Sequence, residues 1–236
     1  MGSLSAHRQY RHLRAEALKG DEEAVHRLRK LAREAEVHAR VGGLPKRGRR
    51  VWKQVRRAAS ALRDHDVTGP LVREALQALT VPAAEVTAVL TAWNAQRAAL
   101  LGSLTLPRRV PRLPDSPGRR RWERFLAAET GRVLATVPPR DGRVHAEQWH
   151  DWRKALKRYR AVLELRTRSP EALVALLRSL GDAQDAQTLL ELTGRDPLLT
   201  PYRPGLSRAA QARRRAARQA AWLHWERLGG DLQRPV

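Results

Sequence analysis

Cysteine is absent from this 236-residue chain, which also contains a single methionine and a single phenylalanine. Without thiols the protein can form no disulfide, no zinc–thiolate site and no cysteine nucleophile. No stretch approaches the roughly 18 consecutive apolar residues that a membrane-spanning helix needs, and the N-terminal residues lack the apolar run of a signal peptide. The expectation is therefore a cytoplasmic protein that does not span a membrane.

Strand signals are also missing, because no run of β-branched residues alternates with polar ones. Ala, Leu, Arg and Glu dominate, and all four favour helices. Asp21, which follows Gly20, is a candidate N-cap, and Gly42-Gly43 is a candidate helix end. The chain is predicted to be all-α, with helices near 4–19, 21–41, 48–64, 66–79, 83–101, 118–136, 144–166, 170–192 and 206–228.

One segment near the middle interrupts the helical pattern. Residues 102–118 contain four prolines and two glycines, a composition typical of a linker. The predicted organisation is a first helical half at residues 1–103, a Pro-rich linker at 104–117 and a second helical half at 118–236.

Acidic residues are few relative to basic ones. The chain has 46 Lys and Arg against 24 Asp and Glu, which leaves a formal charge of +22. Self-repulsion at this level destabilises a compact state unless an anion binds. The composition therefore predicts an anionic partner: a nucleic acid, an acidic membrane surface or an inorganic polyanion.

An internal repeat concentrates this charge. AVHRLRKLAREAE at 24–36 aligns with QWHDWRKALKRYR at 148–160, which places His26 on His150. Downstream, LRDHDV at 62–67 aligns with GDAQDA at 181–186, which places Asp66 on Asp185. Each half thus has a basic helix followed by an Asp at a predicted helix junction, and we predict two similar helical bundles related by a pseudo-two-fold.

Helical periodicity separates an apolar stripe from a basic one in each copy. Positions i, i+3, i+7 and i+10 lie along one face of a helix. In the second copy the apolar stripe consists of Trp149, Trp152, Leu156, Tyr159 and Leu163, and in the first of Val25, Leu28, Ala32 and Ala35. The basic stripe follows one residue later, about 100° around the helix, so it borders the core.

Two further segments are basic. Residues 45–57 carry seven basic side chains and no acid, and the last helix carries five arginines before its first acid, Glu226. A charged helix face is usually just solvated. Two copies in register, each led by a histidine and accompanied by acid-free helices, favour an anion-binding role over that simpler interpretation.

The twice-repeated pattern His-x-x-Arg-Lys-x-x-(Arg/Lys), with LRDHDV after the first copy, resembles the CHAD family (conserved histidine α-helical domain) over about residues 4–228. The resemblance implies an all-α fold of two four-helix bundles around a basic groove or pore. It also implies binding of inorganic polyphosphate and association with polyphosphate granules. A basic groove suits such a chain, because arginine meets phosphate oxygens bidentately and counterion release drives the binding.

The resemblance implies the following site. One wall would consist of His26, Arg29, Lys30, Arg33 and Arg63, and the other of His150, Arg153, Lys154, Lys157 and Arg158. The predicted polyphosphate-binding set is completed by Arg49, Arg50, Lys53, Arg56, Arg57, Arg160, Arg214 and Arg218. Two positions depart from the pattern, because Asp182 stands opposite Arg63 and Glu36 stands opposite Arg160 in the alignment.

Asp66 and Asp185 have two interpretations. They could accept hydrogen bonds from nearby Arg or His side chains and hold them in position behind the binding surface. They could equally cap helices, since each is predicted to lie at a junction.

Two other functions compete with polyphosphate binding. At a formal charge of +22, weak and non-specific binding of nucleic acids is expected. The seven tryptophans could stack on bases, although their spacing favours core packing. Catalysis is not predicted, because no acidic cluster accompanies His26 or His150. Asp64, His65 and Asp66 diverge by about 100° per residue on a helix, so they cannot all bind one ion. We therefore predict no enzyme activity, no cofactor and no metal.

Overall fold

The computed structural model of the chain describes residues 3–114, 117–140 and 144–229. Within these ranges every regular element is a helix and no strand is present. The α-helices are α1 (Ser3–Leu18), α2 (Glu22–Gly42), α3 (Lys46–Ala58), α4 (Ser60–Ala78), α5 (Ala83–Gly102), α6 (Arg119–Thr136), α7 (Ala146–Leu163), α8 (Glu171–Arg195) and α9 (Arg203–Leu228). A 3-10 helix, Pro197–Tyr202, joins α8 to α9. The prediction of an all-α chain is confirmed for this part of the sequence.

Caps mark both ends of α2. The Asp21 side chain accepts a hydrogen bond from the Ala24 N–H at 2.5 Å, as predicted for an N-cap. At the other end Gly43 has a φ of 89°, in the left-handed region that glycine adopts without steric cost. Its N–H donates to the carbonyl oxygens of Ala39 and Arg40, so the last turn of α2 is closed.

The boundary between α3 and α4 differs from the prediction. α3 ends at Ala58 and α4 begins at Ser60, where the Ser60 hydroxyl donates to the Arg56 carbonyl at 2.8 Å. Asp66 therefore lies inside α4, and Asp185 lies inside α8. The expectation that these two residues mark helix junctions, and with it the capping role, is wrong.

The chain forms two compact units that do not follow the predicted halves. Unit 1 contains the described parts of Met1–Pro70 and Leu90–Phe125, and unit 2 contains those of Leu71–Val89 and Leu126–Val236. The chain changes unit within α4, α5 and α6, where helix propensity continues across the boundary. The pseudo-two-fold stays a prediction.

The Pro-rich segment belongs to unit 1 instead of connecting two domains. Leu106, Val110 and Leu113 are at most 5% exposed and form part of the unit 1 core with α1, α2 and α3. The hydroxyl of Tyr10 in α1 also donates a hydrogen bond to the Pro107 carbonyl. Prolines suppress regular structure here without removing the apolar side chains that pack against the helices.

The core of unit 2 is built around four tryptophans. The ring centroid of Trp149 in α7 lies 6.3 Å from that of Trp222 in α9. The centroid of Trp152 in α7 lies 5.6 Å from that of Trp222 and 5.3 Å from that of Trp225. α8 packs against both helices and contributes Leu173, Leu176 and Leu180, which are buried. The core packing predicted for Trp149 and Trp152 is confirmed, and the half-buried Trp222 and Trp225 pack against them.

Candidate functional site

The basic residues of α2 lie beside its buried stripe. All four apolar positions predicted to face the core are at most 1% exposed: Val25, Leu28, Ala32 and Ala35. One position further on lie three predicted binding residues: His26, which is exposed, and Arg29 and Arg33, which are half-buried. The adjacent Lys30 is exposed. The stripe geometry deduced from the spacing is therefore confirmed, and the basic face borders the core of unit 1.

His26 is held by an arginine of a neighbouring helix. Nε of Arg63 in α4 donates a hydrogen bond to Nδ1 of His26 at 2.7 Å, so this ring nitrogen carries no proton. Burial lowers the pKa of His26, and the positive charge of Arg63 lowers that pKa further. The structure thus brings together two predicted residues that are 37 positions apart in the chain.

Arg29 is tethered to the same helix. Its Nε donates to the Ser60 hydroxyl at 3.3 Å, and its guanidinium lies 3.6 Å from Asp64. The Asp64 side chain is 65% exposed, and such pairs contribute at most about 1 kcal/mol. Arg29 is therefore positioned but still accessible to a ligand.

Asp66 has a structural partner that the sequence reasoning missed. Its carboxylate accepts hydrogen bonds from Arg97 in α5 at 2.6 and 3.4 Å, and the Asp66 side chain is 3% exposed. Arg97 also donates to the Gly20 carbonyl at 3.0 Å and lies 3.4 Å from Glu22. This pair joins α4, α5 and the turn between α1 and α2, and Arg97 is not among the predicted binding residues.

The predicted residues of α3 have two environments. Arg49, Arg50 and Lys53 line a cavity of about 250 Å³, to which Glu36, Arg40 and Lys46 also contribute. Arg56 instead donates to Glu36 at 2.9 Å, while Arg57 is exposed outside the cavity. Arg40 and Lys46 were not among the predicted binding residues, although Lys46 belongs to the basic segment 45–57 and Arg40 lies one turn after Glu36 in α2.

In unit 2, the basic face of α7 repeats the arrangement of α2. The apolar stripe is at most 8% exposed and consists, as predicted, of Trp149, Trp152, Leu156, Tyr159 and Leu163. Two of the basic side chains pair within the helix or just after it, Lys154 with Asp151 at 2.6 Å and Arg160 with Glu164 at 2.7 Å. Arg158 is exposed.

His150 has a different partner from His26. Its Nδ1 lies 2.8 Å from Oε1 of Gln184 in α8. Gln184 aligns with His65 in the repeat, whereas the residue aligned with Arg63 is Asp182. The second histidine is therefore held by an amide that was not predicted, although Gln184 stands inside the aligned segment.

Asp185 lies beside the basic face of α7. Burial raises the pKa of its carboxyl. The positive charges of Arg153 and, less strongly, Lys157 lower that pKa. Asp182, one turn earlier in α8, raises the pKa of Asp185, and the Asp182 carboxylate lies 3.8 Å from Arg213. The carboxylate thus lies within electrostatic reach of the predicted binding cations, and its role in holding them in position stays a prediction.

α9 contributes two predicted arginines. Arg214 donates to Oε1 of Gln187 in α8 at 2.5 Å. The Arg218 guanidinium lies over the Trp149 ring, 4.9 Å from its centroid. Burial, and secondarily Arg214, lowers the pKa of Arg218 to about 10, so it still carries its charge at neutral pH. The stacked ring shields one face of a cation that otherwise repels its neighbours.

In the described ranges no three His, Asp or Glu side chains lie together in a way that could hold a metal ion. No helix in those same ranges is long and apolar enough to cross a bilayer.

Comparison with known proteins adds one structural likeness. No protein-family model matches the chain, and no curated protein matches it. The solved structure of PptA from Streptomyces chartreusis matches with a TM-score of 0.64 and 16% sequence identity, over 94% of this chain and 96% of that chain. At this identity the likeness shows that the two chains share a fold, and the ligand has to be argued from the residues of this chain.

Proposed function

We propose that the chain binds inorganic polyphosphate on two basic surfaces. The unit 1 surface is formed by α2, α3 and the first half of α4, and the unit 2 surface by α7, α8 and α9. The proposal includes association with polyphosphate granules and no turnover of the ligand.

The observation that carries the proposal is a set of clustered cations that form no ion pair within the described part of the chain, since Glu36, the carboxylate that lines the same cavity, pairs with Arg56. Among the described residues, no ion pair or hydrogen bond involves the side chains of Lys46, Arg49, Arg50 or Lys53, although all four line one cavity. Like charges gathered in this way destabilise the fold unless an anion screens them. A ligand of high charge density therefore accounts for their arrangement.

Polyphosphate explains the surfaces better than a nucleic acid does. Base stacking needs exposed aromatic rings, whereas all seven tryptophans are buried or half-buried, with Trp52 and Trp152 at 0% exposure. Binding of phosphates alone needs only rigid cations, which the helices supply. The resemblance of the sequence to the CHAD family supports the same choice, because that family binds polyphosphate.

A competition titration tests the ligand. Labelled long-chain polyphosphate would be displaced by unlabelled polyphosphate or by duplex DNA, at equal phosphate concentration and near-physiological salt. We expect polyphosphate to compete at least about a hundredfold better, beyond what counterion release alone provides. Equal competition by DNA would show that the protein binds polyanions by charge alone and would contradict the proposal. Gel analysis of the recovered polyphosphate would reveal shortening if the protein cleaved it.

A charge-matched pair of variants tests the unit 2 surface. Replacing Arg153, Lys157 and Arg160 by Ala should weaken polyphosphate binding by about tenfold or more, because three phosphate contacts are lost. The salt dependence of the affinity should fall as well. The control replaces three exposed arginines near the ends of α8 and α9 that are not among the predicted binding residues: Arg195, Arg203 and Arg227. Equal loss of affinity in both variants would show that the affinity depends on net charge alone and not on these three residues. Circular dichroism checks that helicity is retained.

A further inference from the structure

The cavity between α2 and α3 is open to solvent and gathers basic side chains from both helices. Its volume of about 250 Å³ corresponds to roughly eight water molecules at about 30 Å³ each, which suits one or two phosphate groups. Five cations and one carboxylate line it: Arg40, Lys46, Arg49, Arg50, Lys53 and Glu36. The cavity lies wholly within unit 1.

The first turn of α3 adds positive potential to this cavity. Pro45 occupies the N-cap position and offers no side-chain cap, and the first turn contains no acidic residue. Lys46 instead places a cation at the positive end of the helix dipole, which is unfavourable without an anion nearby. Nε of Arg49 is also buried without a hydrogen-bond partner. An anion in the cavity would relieve all of these costs.

Glu36 limits how a polyanion can occupy the cavity. It follows Arg33 by about one turn on the basic side of α2 and lines the cavity wall. Arg56 donates to it at 2.9 Å, which holds the carboxylate in place. A continuing chain of phosphates would have to pass this negative charge, whereas a chain that ends in the cavity would not.

The end of a linear polyphosphate also carries the higher charge. An internal phosphate has about one negative charge, whereas a terminal group loses a second proton with a pKa near 6, as phosphomonoesters do. Clustered cations favour the doubly charged group most. Resting on the proposed function, we infer that the cavity binds the terminal phosphate of a linear polyphosphate, so that the protein distinguishes chain ends from chain interiors.

The test compares a ligand with ends to one without them. Linear tetraphosphate and cyclic hexaphosphate each carry about six negative charges at pH 8, and the ring has no terminal group. By isothermal titration calorimetry we expect the wild-type protein to bind the linear compound at least about tenfold more tightly. Equal affinities would overturn the inference.

Matched double variants locate that preference. Arg50→Ala with Lys53→Ala removes two exposed cations of the cavity, so little packing is lost, and the preference should fall to about one. Arg27→Ala with Arg47→Ala removes the same charge from exposed positions of α2 and α3 outside the cavity and should keep the preference. Loss of preference in the control as well would overturn the assignment to the cavity.

Glu36→Gln tests the barrier. Removing the charge without changing the shape should strengthen binding of the ring and so reduce the preference. An unchanged affinity for the ring would overturn the role of Glu36. Long-chain polyphosphate is titrated in parallel: if it fails to bind, the proposed function fails with the inference, whereas tight binding without end preference overturns the inference alone.

Discussion

Arg63 of α4 donates a hydrogen bond from its Nε to Nδ1 of His26 in α2 across 2.7 Å. In unit 2, His150 contacts Gln184 instead, since Asp182 occupies the position aligned with Arg63. The two repeats therefore fix their histidines with different chemistry. In unit 1 the contact needs an unprotonated Nδ1, because a protonated ring could not accept from the guanidinium.

The His26 contact predicts a loss of stability in mild acid. Burial lowers the folded-state pKa of His26, and burial does the same for His65, whose ring stacks on Trp93 at 4.8 Å. The unfolded chain thus takes up protons first, so stability is complete above the ordinary histidine pKa of about 6.5 and falls as the pH drops below it. Thermal unfolding from pH 7.5 to 5.5 should show a falling midpoint.

Two variants test whether His26 and His65 cause that pH dependence. His26→Gln removes the titrating group from the Arg63 contact, and His65→Phe keeps the stack on Trp93 without a titrating ring. Each should flatten the curve of midpoint against pH, and the double variant should flatten it most. Curves parallel to that of the wild-type protein would contradict the assignment.

The Asp66–Arg97 pair predicts a cost in stability without a cost in binding. Removing one partner leaves a buried charge uncompensated, so Asp66→Ala and Arg97→Ala should each lower the free energy of unfolding by about 3–5 kcal/mol in urea titrations. A matched control is Arg119→Ala, whose ion pair with Glu123 is exposed and contributes at most about 1 kcal/mol. Polyphosphate affinity of the folded variants should stay unchanged; a large loss would mean that Asp66 does support the binding face.

Local sequence features predicted the helices and their faces well. The stripe led by Val25 and that led by Trp149 follow the helical period, so burial on one side places the cations beside it. Asp21 and Gly43 act through their own backbone neighbours, which makes them readable from the sequence. By contrast, nothing at Ala59 or Ser60 interrupts helix propensity, so the end of α3 depends on tertiary packing.

The site was only partly predictable for a related reason. The repeat identifies the cations, but it does not identify which side chain meets which. Asp66 pairs with Arg97 across 31 residues, and spacing contains no signal for that contact. The cavity at Arg49 also requires α2 and α3 to pack together, and its residues Arg40 and Lys46 lie at helix ends that the repeat does not cover.

Asp185 predicts a gain of affinity on neutralisation. Burial raises its pKa, so its charge is held at a cost, and it offsets the positive potential of Arg153 and Lys157. Asp185→Asn keeps the shape and should strengthen polyphosphate binding by about two- to fivefold with no loss of stability at pH 7. Glu171→Gln removes the same charge from an exposed position of α8 and should have less effect. Weaker binding by Asp185→Asn would show instead that the carboxylate positions Arg153.

Arg218 provides an intrinsic reporter of binding in unit 2. Its guanidinium lies 4.9 Å from the centre of the Trp149 ring, and an indole is sensitive to a charge that moves over its face. Because a bound polyanion attracts this cation, titration with polyphosphate should change tryptophan emission. Arg218→Ala should lose most of that change and also bind more weakly, because one cation of the surface is removed.

Trp149→Phe separates the reporter from the site. It keeps an aromatic ring under Arg218, so affinity measured by calorimetry should stay close to that of the wild-type protein while the emission change is largely lost. Trp122→Phe, which removes a buried tryptophan of unit 1, should keep both the affinity and the emission change. If Trp149→Phe retained the full signal, the ligand would act on another tryptophan, and the contact between Arg218 and polyphosphate would be contradicted.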